Sequence, residues 1–170
     1  MAGASPELLA VATDVEALRH ILANGSWGKY FVAYTDGSCR ASQGLDEGTG
    51  GWGLVMFSAR GERWEAHGNL ERTNSNRAEV SGLLAALIAV PEGSHLSVQS
   101  DSRYVVDHVR RWMRAADNED LWTEVRELVI GKQVELRTTW VAGHNGHQHN
   151  ERVDALASRA SSMRRRRRRR

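Results

Sequence analysis

The apolar and polar residues of this chain follow two alternating periods, which together predict an α/β protein. A continuous apolar and aromatic stretch over 31–34 leads into Thr35 and Asp36, and such a stretch is typical of a strand buried on both faces. Later in the chain, helical spacing alternates with short strands. The predicted strands cover residues 31–38, 51–58, 63–70, 95–100 and 134–141, and the predicted helices cover residues 76–90, 103–114, 120–130 and 150–162.

The connections between these elements indicate how they are arranged. Short links join the first three strands, which predicts an antiparallel meander, whereas the second half has βαβ character. Residues 1–28 precede this pattern and read as an N-terminal extension. Within them Thr13-Asp14-Val15-Glu16 has the form of a capping box, which predicts a short amphipathic helix that begins there and ends at Asn24-Gly25.

Length and composition suit one globular domain with a full-sized core. The chain has 170 residues, of which 41% are hydrophobic and 26% are charged. No apolar run approaches the roughly 18 residues of a membrane span, and the N-terminus lacks the layout of a signal peptide. Cys39 is the only cysteine, so an internal disulfide is impossible. We therefore expect a cytoplasmic protein that does not contact membranes.

The positive charge of the chain is concentrated at its C-terminus. The formal net charge is +2, but residues 164–170 are seven arginines, so the remainder carries −5. A broad basic face for nucleic acid is therefore not evident outside the tail. We expect residues 163–170 to be disordered. A flexible arm that binds nucleic acid, an engineered or inert end, and a nuclear-targeting signal all stay open for them.

Four carboxylates stand at positions where burial would be costly. Asp36 and Asp101 each follow a predicted strand, Glu79 leans toward the apolar face of a helix, and Asp154 lies in the second turn of the last helix. Clustered acids repel one another unless cations compensate them, and Mg²⁺ prefers oxygen ligands. Spacing alone does not show that the four meet. Capping of a turn before Gly37 is the alternative role for Asp36.

Two other patterns suggest ligands but fit them poorly. Gly48-Thr49-Gly50-Gly51-Trp52-Gly53 is a literal G-x-G-x-x-G, yet a polar loop precedes it and strand-like residues follow it, so we reject a dinucleotide site. His144, His147 and His149 offer nitrogen ligands for zinc. Their loop is short and has no cysteine nearby, so zinc is the weaker alternative.

Five sequence motifs together resemble those of the type 1 ribonuclease H family. They occur in the family's order and at compatible spacings, over residues 29–162. Any one of these motifs would be a weak signal, but their joint occurrence is highly specific. The motifs are Thr35-Asp36-Gly37-Ser38, Asn76-Arg77-Ala78-Glu79, Ser100-Asp101-Ser102, Trp140-Val141-Ala142-Gly143-His144-Asn145-Gly146 and Asn150-Glu151-Arg152-Val153-Asp154-Ala155-Leu156-Ala157.

The resemblance implies a fold and an activity. The expected fold is a mixed five-stranded sheet, with three antiparallel strands and then two parallel ones, flanked by helices. The expected activity is endonucleolytic hydrolysis of the RNA strand of RNA–DNA hybrids, leaving 5′-phosphate and 3′-hydroxyl ends. Two Mg²⁺ ions, for which Mn²⁺ can substitute, would activate water and stabilise the leaving oxygen. The resemblance assigns the metals to Asp36, Glu79, Asp101 and Asp154 and proton transfer or product release to His144.

The resemblance also implies contacts to the hybrid. Ser75 and Asn76 match positions that read 2′-hydroxyls in the minor groove. A phosphate pocket for the DNA strand and aromatic contacts to that strand complete the set, although a core tryptophan is the alternative for Trp112. The pocket positions are Arg72, Asn74 and Asn118, and the aromatic positions are Tyr104 and Trp112.

Two departures from the family pattern bear on substrate binding. The loop between Cys39 and Trp52 is longer than usual and adds Asp46 and Glu47, and the basic insertion that many members carry after the Trp112 helix is nearly absent. We therefore expect weak hybrid binding by residues 29–162 alone. A DNA nuclease of integrase or resolvase type and a non-catalytic hybrid-binding module are the rival functions. No feature predicts a protein partner, and we expect a monomer.

Overall fold

A mixed five-stranded sheet lies at the centre of the structure, a computed structural model that describes residues 6–41, 47–112, 117–143 and 146–163. The strands run in the order β3-β2-β1-β4-β5; β1, β2 and β3 pair antiparallel, and β4 and β5 add in parallel. This arrangement confirms the predicted fold class. The strands are β1 (Tyr30–Ala41), β2 (Gly48–Ser58), β3 (Arg63–Thr73), β4 (His95–Ser100) and β5 (Glu135–Trp140).

Helices cover both faces of the central strand β1, with α2 packing on one face and α5 on the other. Every residue of α2 from 80 to 89 is buried, as expected of a helix in the middle of a core. None of the helices in the described ranges is long and apolar enough to cross a membrane. The helices are α1 (Pro6–Asn24), α2 (Ser75–Ala89), α3 (Arg103–Arg111), α4 (Glu119–Gly131) and α5 (Gln148–Ser161).

The alternative role of Asp36, capping of a turn, is wrong. β1 continues through Asp36 to Ala41, and Asp36 pairs with Gly53 of β2. The local Asp-Gly-Ser preference for a turn is overridden because β2 extends far enough to pair with all of these residues. Asp36 is therefore a strand residue and does not cap a turn.

The largest differences from the predicted helix bounds are in α1 and α3. α1 begins at Pro6 rather than at Thr13, because proline suits a first helical position and the residues that follow it are good helix formers. α1 packs against α2 and β3. α3 ends at Arg111 and is followed by Trp112 in a left-handed conformation, with φ of 45°. The arginine tail at 164–170 lies outside the described residues.

Candidate active site

Asp36 and Asp101 meet because β1 and β4 are parallel. The last paired residues of these strands are Tyr34 and Gln99. Continuing the same register by two residues brings Asp36 opposite Asp101, at the edge where parallel strands end. The pairing of two distant strands thus places two acids side by side.

Glu79 reaches this edge because α2 touches the backbone of β1. A Cβ on Gly37 would lie 2.3 Å from the carbonyl carbon of Ala78 and 2.3 Å from the nitrogen of Glu79, so only glycine allows this approach. The Gly37 N–H in turn donates to Oδ1 of Asp36 at 2.9 Å. A single glycine therefore positions Glu79 and supplies a hydrogen bond to Asp36.

The three acids form a compact oxygen cluster. One carboxylate oxygen from each of Asp36, Glu79 and Asp101 lies within 4.8 Å of the other two. Asp36 is only 4% exposed. Oε2 of Glu79 is buried, and no described residue gives it a hydrogen bond. Because a buried, unpartnered oxygen among acids is costly, this donor set fits a hard divalent cation.

Asp154 joins the cluster from the opposite face of the sheet. A Cβ on Gly53, the cross-strand partner of Asp36, would lie 2.6 Å from the carbonyl oxygen of Val153. This glycine lets α5 lie directly on β2, and the next residue of α5 is Asp154. The Asp154 side chain shares a hydrogen bond with Asp36 that raises the pKa of Asp36. All four predicted acids therefore converge, with Asp154 outside the tight group of three.

The electrostatics of the cluster favour protonation when no cation compensates it. Burial, and then the charge of Asp101, raise the pKa of Asp36 from its ordinary value of 3.8 to about 8. Burial, and then the charges of Asp36 and Asp101, raise the pKa of Glu79 well above its ordinary value. These carboxylates would exchange a proton for a metal ion at neutral pH.

The raised pKa of Asp36 predicts an unusual pH dependence of stability in metal-free buffer. Between about pH 4 and pH 8 the folded chain keeps a proton on Asp36 that the unfolded chain has lost. The free energy of unfolding should therefore fall as pH rises through this window, on the order of 5 kcal/mol in total. Denaturant unfolding in EDTA measures this, with Asp36→Asn as the reference that removes the titrating group.

The difference between the two proteins reports on Asp36 together with Glu79, because the charge of Asp36 contributes to the raised pKa of Glu79. We expect the stability of Asp36→Asn relative to the wild type to grow from pH 4 to pH 8. Saturating Mg²⁺ at pH 8 should raise the Tm of the wild type more than that of the variant. A stability difference that stays constant with pH would contradict the buried, proton-binding cluster.

Three predicted substrate residues lie at the beginning of α2. Asn74 caps this helix, with its Oδ1 accepting from the backbone N–H of Arg77 at 2.9 Å. Ser75 is exposed and Asn76 is half-buried, in the first turn that leads to Glu79. Their side chains therefore lie within two turns of the carboxylate cluster, close enough for one bound strand to contact both.

Arg72 makes a different contact from the one predicted for it. Its Nε lies 2.5 Å from Oε2 of Glu47, and its side chain is 85% exposed. The acid added by the longer loop thus pairs with the arginine expected to bind phosphate.

Asn118 and Tyr104 lie in one hydrogen-bond network between α3 and α4. The Tyr104 hydroxyl accepts from Nδ2 of Asn118 at 3.2 Å and from Nε1 of Trp122 at 3.0 Å. Trp112 is 45% exposed, so the alternative of a core tryptophan is wrong. The remaining aromatic position therefore presents its ring to solvent, where a nucleic-acid strand could reach it.

The histidines after β5 do not form a described metal site. His144 lies outside the described residues, so its predicted role stays a prediction. His147 caps α5 through Nδ1, and His149 packs against the rings of Tyr34 and Phe57 at 5.1 and 4.7 Å. Because the zinc alternative needs His144, the described residues do not test it.

Sequence reasoning missed one charged residue and two glycines that build the site. Arg77 belongs to the same motif as Glu79. It follows Asn74 by three residues, and this spacing could have indicated that Arg77 lies in the first turn of the helix that Asn74 caps. Gly37 and Gly53 act through close backbone approach, which depends on how distant segments pack. No local signal identifies which helix will lie on each glycine.

Comparisons with known proteins agree with this geometry. Residues 28–162 match the family model described as RNase H. A protein named Ribonuclease H from Novosphingobium aromaticivorans is 35% identical over 146 residues, covering 78% of this chain and 97% of that protein. A protein of the same name from Cupriavidus pinatubonensis is 36% identical over 141 residues, covering 75% and 92%.

Solved structures share the fold. RNase H1 from the halophilic archaeon Halobacterium salinarum NRC-1 superposes with a TM-score of 0.61 at 30% identity, covering 77% of this chain and 96% of that one. LC11-RNase H1, whose structure contains an RNA/DNA hybrid, superposes with a TM-score of 0.63 at 19% identity, covering 76% and 95%. At that identity the second likeness shows the fold alone.

Proposed function

This chain belongs to the RNase H family, and from that premise we propose that it is a metal-dependent endonuclease that hydrolyses the RNA strand of RNA–DNA hybrids. The observation that carries the proposal is the cluster of Asp36, Glu79 and Asp101, whose carboxylate oxygens lie within 4.8 Å of one another. We place the catalytic domain at residues 29–162. The carboxylates all come from one chain, which supports action as a monomer.

We propose Mg²⁺ as the cofactor, two ions per site, with Mn²⁺ as a substitute. The all-oxygen donor set and the unpartnered Oε2 of Glu79 support a hard cation. Asp36, Glu79 and Asp101 would hold one ion, and Asp154 would complete the second site with Asp36. When bound, the ions supply Lewis acidity that activates water and stabilises the leaving 3′ oxygen.

The protein itself supplies binding and orientation. At the start of α2, Ser75 and Asn76 would contact 2′-hydroxyls of the RNA strand, which DNA lacks. This placement is supported by the short stretch of helix that joins them to Glu79. Because the same helix holds substrate and carboxylate, binding of the RNA strand would align its backbone with the acidic cluster.

The second strand of the hybrid would be held by a separate group of residues. The DNA phosphates would contact Asn74, Asn118 and Arg72, the last after release from Glu47. Tyr104 and Trp112 would pack against the same strand, and the exposure of the Trp112 ring supports this. His144 would transfer a proton or assist product release. Hydrolysis would leave 5′-phosphate and 3′-hydroxyl ends.

A panel of labelled duplexes tests the proposed function. RNA–DNA, RNA–RNA and DNA–DNA duplexes of one sequence are incubated with the full chain and Mg²⁺ or with EDTA. We expect cleavage of the RNA strand of the hybrid alone, with 5′-phosphate ends on the products and no cleavage in EDTA. Cleavage of duplex DNA would indicate the resolvase-type alternative, and binding without cleavage would indicate a binding module; either result overturns the proposal.

A further inference from the structure

Arg77 links the beginnings of two helices. Its guanidinium donates to both carboxylate oxygens of Asp120, at 3.0 and 2.8 Å, and also to Oδ1 of Asn118 at 3.0 Å. Its backbone N–H donates to Asn74, the residue that caps α2. One arginine of α2 therefore contacts two of the three residues expected in the phosphate pocket.

The backbone of Asn118 shows that its side chain is diverted from its usual structural role. Asn118 occupies the N-cap position of α4, where asparagine commonly accepts a hydrogen bond from the helix, yet its side chain makes no such bond. It adopts a left-handed conformation, with φ of 56°. Its oxygen instead accepts from Arg77 and its nitrogen donates to the Tyr104 hydroxyl.

These contacts fix which way the Asn118 amide points. Because Arg77 offers only donors, the amide oxygen must face it, and Nδ2 must face the hydroxyl of Tyr104. Nδ2 carries a second N–H, for which the described residues provide no acceptor, and this N–H can donate to a ligand. Trp122 donates to the same hydroxyl, so the orientation is held from both ends.

We propose that Arg77 is a positioning residue that holds the Asn118 amide ready to donate to a phosphate of the DNA strand. The inference rests on the proposed function. Arg77 itself is a poor phosphate ligand, because its side chain is only 15% exposed and its guanidinium is paired with Asp120. The planar fork of arginine makes the Asp120 and Asn118 contacts together, and a lysine ammonium cannot reproduce both.

Steady-state cleavage of a labelled hybrid by four variants of the full chain tests this. Arg77→Lys keeps the charge but loses the fork, and we expect KM to rise about tenfold with kcat nearly unchanged. Asn118→Ala should raise KM similarly. The double variant should be no worse than Asn118→Ala, because Arg77 acts through that side chain. Arg126→Lys, a matched change in an α4 arginine paired with Glu119, should leave KM unchanged.

A measurement without substrate separates positioning from general stabilisation. The side-chain amide signal of Asn118 in an NMR spectrum is assigned by its loss in Asn118→Ala. It should shift in Arg77→Lys and stay in place in Arg126→Lys. If Arg77→Lys does not fold, Asp120→Asn serves as the second variant, since it loosens the guanidinium and should raise KM in the same direction.

The possible failures are distinguishable. If the wild type does not cleave hybrid, the proposed function fails and takes this inference with it. If the wild type cleaves but Arg77→Lys has an unchanged KM, only the role of Arg77 is overturned. Additive effects in the double variant would show that Arg77 contacts the substrate or the fold independently of Asn118, which also overturns it.

Discussion

Asp36→Asn is expected to reduce hybrid cleavage by about a thousandfold or more while leaving hybrid affinity within about threefold. Asp36 is coupled to the other three acids, since Asp101, Asp154 and Glu79 all influence its pKa. The amide keeps the shape of the side chain but removes the negative charge that a divalent cation requires. Single-turnover cleavage and fluorescence anisotropy of labelled hybrid measure the two quantities.

The control is Glu127→Gln, which makes the same acid-to-amide change at an exposed position of α4. We expect this variant to cleave at the wild-type rate. The Asp36→Asn protein should also be at least as stable as the wild type in EDTA, which shows that lost cleavage does not reflect unfolding. Turnover of Asp36→Asn within tenfold of the wild type would remove Asp36 from the catalytic site.

Gly37→Ala is expected to lower the free energy of unfolding by about 3 kcal/mol or more. The added Cβ would meet two backbone atoms of α2 at 2.3 Å, and backbone atoms cannot rotate away as a side chain can. Relief requires α2 to move away from β1, which would carry Glu79 away from Asp36. Urea unfolding measures the stability, and a Mg²⁺ titration of Tm should show weaker binding.

Gly131→Ala provides the matched control, because a Cβ on Gly131 at the end of α4 would meet nothing within 4 Å. That substitution should leave stability unchanged or raise it by about 0.5 kcal/mol through helix propensity. A Gly37→Ala protein within about 1 kcal/mol of the wild type would mean that α2 does not depend on this contact.

Periodicity predicted the elements of the fold well where local preference and tertiary packing agree. The bounds of β4 match the prediction, because alternating residues end at a clear polar break. The prediction failed where distant pairing overrides local chemistry. β1 runs past its predicted end at Ser38 to Ala41 because β2 pairs with it over that whole length, and no residue near Ser38 carries that information.

The candidate site was predictable in its residue types but not in its construction. Sequence motifs identified Asp36, Glu79, Asp101 and Asp154, and the structure brings all four together. Those motifs do not contain the order of the strands, nor how closely α2 and α5 approach the sheet. Arg77 was overlooked for a related reason, since its partners Asn118 and Asp120 are about forty residues away.

The carboxylates of the cluster come from segments more than a hundred residues apart, and this has a consequence for biosynthesis. Asp36 belongs to the first strand and Asp154 to the last helix, which also covers Gly51 and Gly53. A nascent polypeptide that has not yet released α5 from the ribosome lacks the fourth acid and leaves β2 uncovered. The group of four acids is therefore complete only after α5 has left the ribosome.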